Sequence, residues 1–261
     1  ASGTCGENLT WVLDSDGLLK ISGTGAMADY KWIYDVPWCS YASGITTVEI
    51  SDGVTSIGRT AFFRCTSLAS ITIPESVTSI GDSVFANSGI TSIAIPNGVI
   101  SIGNWAFENC TSLESVEIPD SVTSIGSSAF ASCEKLKSIT LPSGLTSIEF
   151  RAFQNCTALE SIIIPARVMA INGGAFANCN SLESITIYSK TAWISDSSNT
   201  ISESATIYGG KGSTAEAYAT KYGRRFVEIE IPTVEIASGT CGENLTWVLD
   251  SDGLLKISGT G

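Results

Sequence analysis

The property that most limits what this chain can fold into is its self-similarity. Prolines stand at Pro74, Pro96, Pro119, Pro142 and Pro165, at spacings of 22, 23, 23 and 23, and a fixed period of this length is the mark of small units stacked in a row. Phenylalanines keep the same beat at Phe62, Phe85, Phe107, Phe130, Phe153 and Phe176, and Cys65, Cys110, Cys133, Cys156 and Cys179 follow three residues behind five of them. The remaining unit, Phe85-Ala86-Asn87-Ser88-Gly89, is one residue short and lacks the cysteine.

Each unit opens with apolar residues at i, i+3 and i+5, as in Leu113, Val116 and Ile118 or Leu182, Ile185 and Ile187. The last two alternate with polar residues, the period of a strand with one buried face. Seven such strands are predicted to begin at Ile45, Leu68, Ile90, Leu113, Leu136, Leu159 and Leu182. Proline after five of them has no amide hydrogen to donate and so ends the ladder. A second short extended piece follows, Val122-Thr123-Ser124-Ile125 in one unit, with a glycine after it in the first four units to permit the turn. A brief helical turn is then expected to carry the phenylalanine. A unit of this size cannot bury its own apolar face, so neighbouring units must share one continuous core. The phenylalanines and cysteines are read as ladders within that core, the cysteines as reduced thiols.

Composition narrows the chemistry. The chain of 261 residues has no histidine, which excludes Ser-His-Asp, Cys-His and HExxH arrangements because histidine is the usual general base and the commonest metal ligand. No cysteine pair has the two-to-four-residue spacing of a metal site, and five ladder cysteines cannot all pair as disulfides. Acidic residues outnumber basic ones by 26 to 14, for a net charge of -12, so phosphate backbones and anionic lipid surfaces are repelled. Neither nucleic acid nor membrane insertion is expected, and no cofactor or metal. Residues 1–4 lack the basic and apolar regions of a signal peptide, as expected of an internal or mature fragment.

Residues 1–25 recur without a change at 237–261. In each copy two apolar stretches flank a turn, Asp14-Ser15-Asp16-Gly17 in the first, which reads as a hairpin in preference to a calcium loop, since no closing glutamate follows at the required distance. The first copy continues into Tyr30-Lys31-Trp32-Ile33-Tyr34 and Pro37-Trp38-Cys39-Ser40-Tyr41, aromatics suited to cover the open end of the first unit or, alternatively, to form a carbohydrate platform. Trp193 admits the same two readings. Ser213-Thr214-Ala215-Glu216 matches a capping box ahead of a short helix, Ala215 through Tyr222, stopped by Gly223. The preceding Gly209-Gly210-Lys211-Gly212-Ser213 fails the order of a phosphate loop. The expected layout is therefore a cap at 1–44, repeats at 45–190, a second cap with the helix at 191–228, a linker or edge strand at 229–236, and a truncated copy of the cap hairpin at 237–261. That last copy is expected to be poorly ordered or to pair with the edge of a neighbouring chain.

With its units written Ile-Pro-x-Ser-Val-Thr-Ser-Ile-Gly-x-x-Ala-Phe-x-Asn-Cys-x-Ser-Leu-x-Ser-Ile, the chain resembles the BspA-type leucine-rich repeats of bacterial surface proteins over residues 45 to 190. The opening Gly-Thr-Cys-Gly-Glu-Asn-Leu-Thr-Trp resembles the β-rich cap that precedes such repeats. The resemblance implies a leucine-rich-repeat solenoid with strands on one side and short helical turns on the convex side. It also implies a location at the bacterial cell surface or beyond, and adhesion to protein or carbohydrate partners on host or microbial surfaces. It fails at Glu149-Phe150-Arg151, where the glycine is missing, and at Met169-Ala170, where Thr-Ser is expected.

The functional expectation is a binding module and not an enzyme. Outward strand positions are the candidate contact residues: Thr47 and Glu49, Ser70 and Thr72, Ser92 beside Ala94, Ser115 and Glu117, Ser138 and Thr140, Ser161 and Ile163, Ser184 and Thr186. Glu117 has Ala94 and Thr140 as neighbours, so this face offers no carboxylate pair for acid–base work. The alternative is a structural spacer or stalk in a modular surface array, with chain-to-chain contact through 237–261.

Overall fold

The computed structural model describes residues 1–231, 235–242, 244–250 and 255–259, which fall into two compact units, Ala1–Glu228 and Ile229–Gly261. The first is a β-rich solenoid in which each coil lies directly on the last, held by three separate rows of backbone hydrogen bonds.

The first row is the strand face. The strands Leu18–Gly23, Thr47–Ile50 and Ser70–Thr72 pair in parallel, as do Ser92–Ala94 with Ser115–Glu117. Ser161–Ile164, Ser184–Ile187, Thr206–Gly209 and Phe226–Glu228 form a further parallel sheet. Two details differ from the sequence reading. Strands start two residues after the leading leucine, whose side chain is already buried beneath the preceding turn. The row also runs on through Thr206–Gly209 and Phe226–Glu228, which lack that leucine and so escaped the pattern. In the unit that begins at Leu136, Ser138–Thr140 keeps the alternation of exposed and buried side chains without forming a ladder. A single bond, from the Glu160 N–H to the Lys137 carbonyl (3.0 Å), ties it to the next coil.

The carbonyl of each of the five repeat prolines accepts from the residue three on, for example Val122 N–H to Pro119 O at 3.1 Å, making the tight corner that leads to the second row. Here short strands, all but one of two residues, pair in parallel: Gly25–Ala26, Val54–Ile57, Ser79–Ile80, Ser101–Ile102 and Ser124–Ile125, then separately Ser147–Ile148, Ala170–Ile171 and Trp193–Ile194. The glycines that follow serve a different end from the turn expected of them. Gly58, Gly81, Gly103 and Gly126 do not have positive φ. They are required because the coil beneath is too close: a Cβ on Gly103 would lie 2.6 Å from the Asp82 backbone nitrogen, and one on Gly126 would lie 2.6 Å from that of Asn104. The row is interrupted between Ile125 and Ser147, in the coil where Glu149 stands in place of this glycine, and resumes through the next coil, where Asn172 stands there.

The third row carries the phenylalanines, and it is not helical. Alternate residues point their N–H groups at the next coil, as Ser83 to Asn104 O (2.8 Å), Phe85 to Ala106 O (2.8 Å) and Asn87 to Glu108 O (2.8 Å). Intervening N–H groups close three-residue turns within the coil, such as Ala86 to Ser83 O (3.2 Å). Turning this way while facing the neighbour demands left-handed backbone at two positions per coil, including Asn87 (φ 60), Trp105 (φ 54), Ser128 (φ 54) and Arg151 (φ 56). Asparagine tolerates this region, while the others cost of order 1 kcal/mol each. The inter-coil bond that each such conformation permits offsets that cost.

Between the rows lies one core. Trp38, Phe62, Phe85, Phe107, Phe130, Phe153 and Phe176 stack ring on ring with centroids 5.1 to 5.9 Å apart. In the last three steps the planes agree within 2°, as repeated translation requires. Beside this stack run the cysteines, all with free thiols. Four of them donate the S–H to the phenylalanine carbonyl of the preceding coil: Cys110 to Phe85 (3.0 Å), Cys133 to Phe107 (3.2 Å), Cys156 to Phe130 (3.1 Å) and Cys179 to Phe153 (3.0 Å). Burial pushes the Cys65 and Cys179 thiols up to about 12 and the Cys110 thiol up to about 11.

The ends close as aromatic and helical caps. Trp38 extends the phenylalanine stack by one ring, donates its indole N–H to the Ala61 carbonyl (2.8 Å), and takes the edges of Trp11 and Tyr30 at 5.7 and 6.3 Å. Trp32, Tyr34 and Tyr41 of the same region remain exposed. At the Asp14 turn the side-chain carboxylate accepts from the Asp16 and Leu18 N–H groups, the hairpin use of that residue. Helix α1 spans Thr214–Tyr222, with Ser213 accepting from Glu216 N–H (3.3 Å) and Gly223 in left-handed conformation at its end. In the second unit, Glu235–Gly242, Leu245–Asp250 and Leu255–Gly259 form an antiparallel sheet.

Candidate binding face

The parallel register of the first row sets which outward side chains stand side by side. Thr47 neighbours Ser70, Glu49 neighbours Thr72, Ser92 neighbours Ser115, and Ala94 neighbours Glu117. Further along, Ser161, Ser184 and Thr206 form one line and Ile163, Thr186, Tyr208 and Val227 another. Of the candidate residues, Glu49, Ser70, Thr72, Ser92, Ser115, Glu117, Ser138, Thr140, Ser161 and Ile163 are exposed, while Thr47, Ser184 and Thr186 are half-buried. The small side chains leave a low surface with shallow depressions. One, of about 300 Å3, lies among Ser138, Thr140, Ser161 and Ile163 with Pro165 at its rim. Another, of about 380 Å3, lies between Ala94 and Glu117 and reaches Pro96 and Pro119.

Charge on this face is sparse and local. Lys20 bridges Glu49 at 3.2 Å with both side chains about half exposed, a pair worth at most about 1 kcal/mol. Among the described residues no group of three Cys, Asp or Glu side chains is placed to hold a metal ion. The arrangement offers hydroxyl donors and acceptors at strand spacing, with an apolar line at one end. Such a face can exchange hydrogen bonds and apolar contacts with a partner surface.

Two features escaped the sequence. Tyr208 gives the face an aromatic anchor, missed because its strand carries Gly209 where the others have an aliphatic residue. The second is the exposure of three large apolar side chains on neighbouring coils near the second row, Phe150, Met169 and Trp193. Phe150 lies beside Gly173, where an added Cβ would stand 3.6 Å from the ring, and the Arg151 guanidinium sits 4.7 Å over it. The departures at Glu149-Phe150-Arg151 and Met169-Ala170 were the available signal, visible as breaks in a pattern and not as a surface.

Comparison with known proteins agrees with this geometry. The family model described as "BspA type Leucine rich repeat region" matches six copies, over residues 38–118 and 106–208. The chain belongs to the BspA-type leucine-rich-repeat family. Among solved structures, a leucine-rich repeat protein from Bacteroides ovatus ATCC 8483 is 24% identical with a TM-score of 0.53, over 78% of this chain and 70% of that one. A T. pallidum leucine-rich repeat protein is 25% identical with a TM-score of 0.50, over 66% of this chain and 86% of that one. No curated protein matches. Membership of this family makes the chain a repeat scaffold of the kind that generally mediates protein interactions, and the family match indicates no enzymatic homologue. Among the described residues no helix is long and apolar enough to cross a membrane.

Proposed function

We propose that this BspA-type chain is an adhesion module that docks a protein partner on its strand face, outside the bacterial cell or on its surface. The observation that carries this reading is the line Ile163, Thr186, Tyr208 and Val227, in register across four strands and flanked by hydroxyl-bearing side chains. An aromatic anchor beside an exposed aliphatic, bordered by small polar groups, is how an interface concentrates its binding energy. Elsewhere the stripe is made of serine and threonine, so each site binds modestly and many displayed copies supply avidity.

The experiment is a binding screen of the full chain against host matrix proteins, glycans and microbial surface proteins, repeated with Ile163→Glu and Tyr208→Ala. Loss of about tenfold in affinity for each variant, roughly 1.4 kcal/mol, with unchanged thermal midpoint, supports the reading. The second reading, a spacer that holds another domain away from the cell, rests on the identity of residues 1–25 and 237–261, since interchangeable joints suit a modular array. A spacer binds none of the panel, and substitutions on the strand face then change nothing.

A further inference from the structure

The one coil that is a residue short leaves a hollow on the surface. Between the third row and the strand face its neighbours turn the corner on two residues, Thr66-Ser67 before Leu68 and Thr111-Ser112 before Leu113, whereas this coil uses Gly89 alone before Ile90. The shorter corner lies tight against the preceding coil: Gly89 donates its N–H to the Cys65 carbonyl (3.1 Å), and a Cβ there would stand 2.1 Å from the Thr66 carbonyl oxygen. The longer corners on either side supply the walls of a depression of about 340 Å3. At its base is Ser88, 5% exposed, which holds the ladder position of the missing cysteine with its hydroxyl 3.5 Å from the Cys110 sulfur.

Polar groups without protein partners gather around this hollow. The third-row asparagines pass hydrogen bonds from coil to coil, as Asn109 Nδ2 does to Asn87 Oδ1 (2.7 Å) and Asn178 Nδ2 to Asn155 Oδ1 (2.9 Å). One coil before Asn87 the row holds Arg64 in place of asparagine, so among the described residues Asn87 Nδ2 meets no acceptor. The Arg64 guanidinium lies 5.4 Å over the Phe63 ring and, among the described residues, has no carboxylate partner. Stacking on a ring covers a face of the guanidinium and leaves its N–H edges free. No carboxylate lines the hollow, although the chain carries 26 acidic residues to 14 basic ones.

We propose that this hollow binds one carboxylate-bearing sugar, a uronic or sialic acid unit of a glycan. Arg64 takes the carboxylate in the forked pairing that suits a planar guanidinium, while Asn87 Nδ2 and the hydroxyls of Thr66, Thr111 and Ser112 exchange hydrogen bonds with the sugar hydroxyls. The volume stands at the low end of ligand pockets, with room for one ring. One guanidinium on a chain of net charge -12 suits a single negative charge, and a polyanion meets repulsion beyond the hollow. A bare phosphate is held where several N–H groups converge on one point. These groups instead come from three successive coils and span about 10 Å, the reach of a ring with its substituents. The hollow shares no residue with the line Ile163, Thr186, Tyr208 and Val227, so it serves a different ligand from the strand face.

The test is titration of the full chain, followed by ligand-observed NMR, with the methyl glycosides of glucuronic, galacturonic and N-acetylneuraminic acid, beside methyl glucoside, methyl galactoside, acetate and inorganic phosphate. An acidic sugar is expected to bind with a millimolar Kd, at least about tenfold tighter than the neutral sugars and the two small anions. Arg64→Asn, which installs the residue of the next coil, should remove that preference at an unchanged thermal midpoint. Replacing Gly89 by Thr-Ser, the corner of the neighbouring coils, should fill the hollow and abolish binding. The proposal is overturned if no acidic sugar binds, if neutral sugars bind as well, or if binding survives Arg64→Asn. It is equally overturned if acetate or phosphate binds as tightly, which would mean an anion contact without recognition of a sugar. Should the lengthened corner not fold, Thr111→Val with Ser112→Ala decides in its place, and affinity unchanged by the loss of those hydroxyls overturns the proposal too.

Discussion

A single phenylalanine in this solenoid serves three coils at once. The Phe130 ring stacks on Phe107 at 5.1 Å and on Phe153 at 5.6 Å, while its carbonyl receives the Cys156 thiol from the next coil. Replacing it by alanine removes a fully buried ring and opens a void that the rigid coils on either side cannot close. Phe130→Ala is therefore expected to cost about 3–5 kcal/mol and to lower the thermal midpoint by roughly 10 °C or more, measured by calorimetry. A drop of only a degree or two would mean the stack is not continuous. Residue identity at these positions was legible in advance, because a ladder repeats the same side chain at a fixed interval. The thiol-to-carbonyl bonds were not, since spacing alone cannot show which carbonyl a cysteine meets one coil away.

At the scale of one coil, glycine is a spacing device. A Cβ on Gly126 would stand 2.6 Å from backbone nitrogen, whereas at Gly144 the nearest atom would be 3.7 Å away. Gly126→Ala should destabilise by about 1–3 kcal/mol through overpacking, while Gly144→Ala should be neutral or slightly stabilising because it restricts the unfolded chain. Urea midpoints of the two variants against wild type check this, and equal effects would refute it. In the coil that carries Glu149 at this position the second row is interrupted and Ser138–Thr140 lies outside the ladder, while the next coil, with Asn172 there, stays paired. Strand positions were readable from alternation. The left-handed backbone of the phenylalanine turn is not legible in sequence, because Trp105, Ser128 and Arg151 are not types that announce it; the bonds to neighbouring coils impose it.

At the scale of the whole molecule, period and composition made the solenoid readable, because stacking is the one way such units can bury their apolar faces. The binding face was half readable. Its hydroxyl stripe followed from alternation, but Tyr208 joins Ile163 only through a register that three dimensions fix. The central claim is that all coils share one sealed interior, and timed thiol labelling of the native protein with mass-spectrometric readout tests it most directly. Cys65, Cys110, Cys133, Cys156 and Cys179, all buried, should stay unmodified in buffer and react fully in denaturant, while the exposed Cys241 reacts at once. Labelling of the ladder cysteines at the rate of Cys241, or disulfides linking them, would contradict the account.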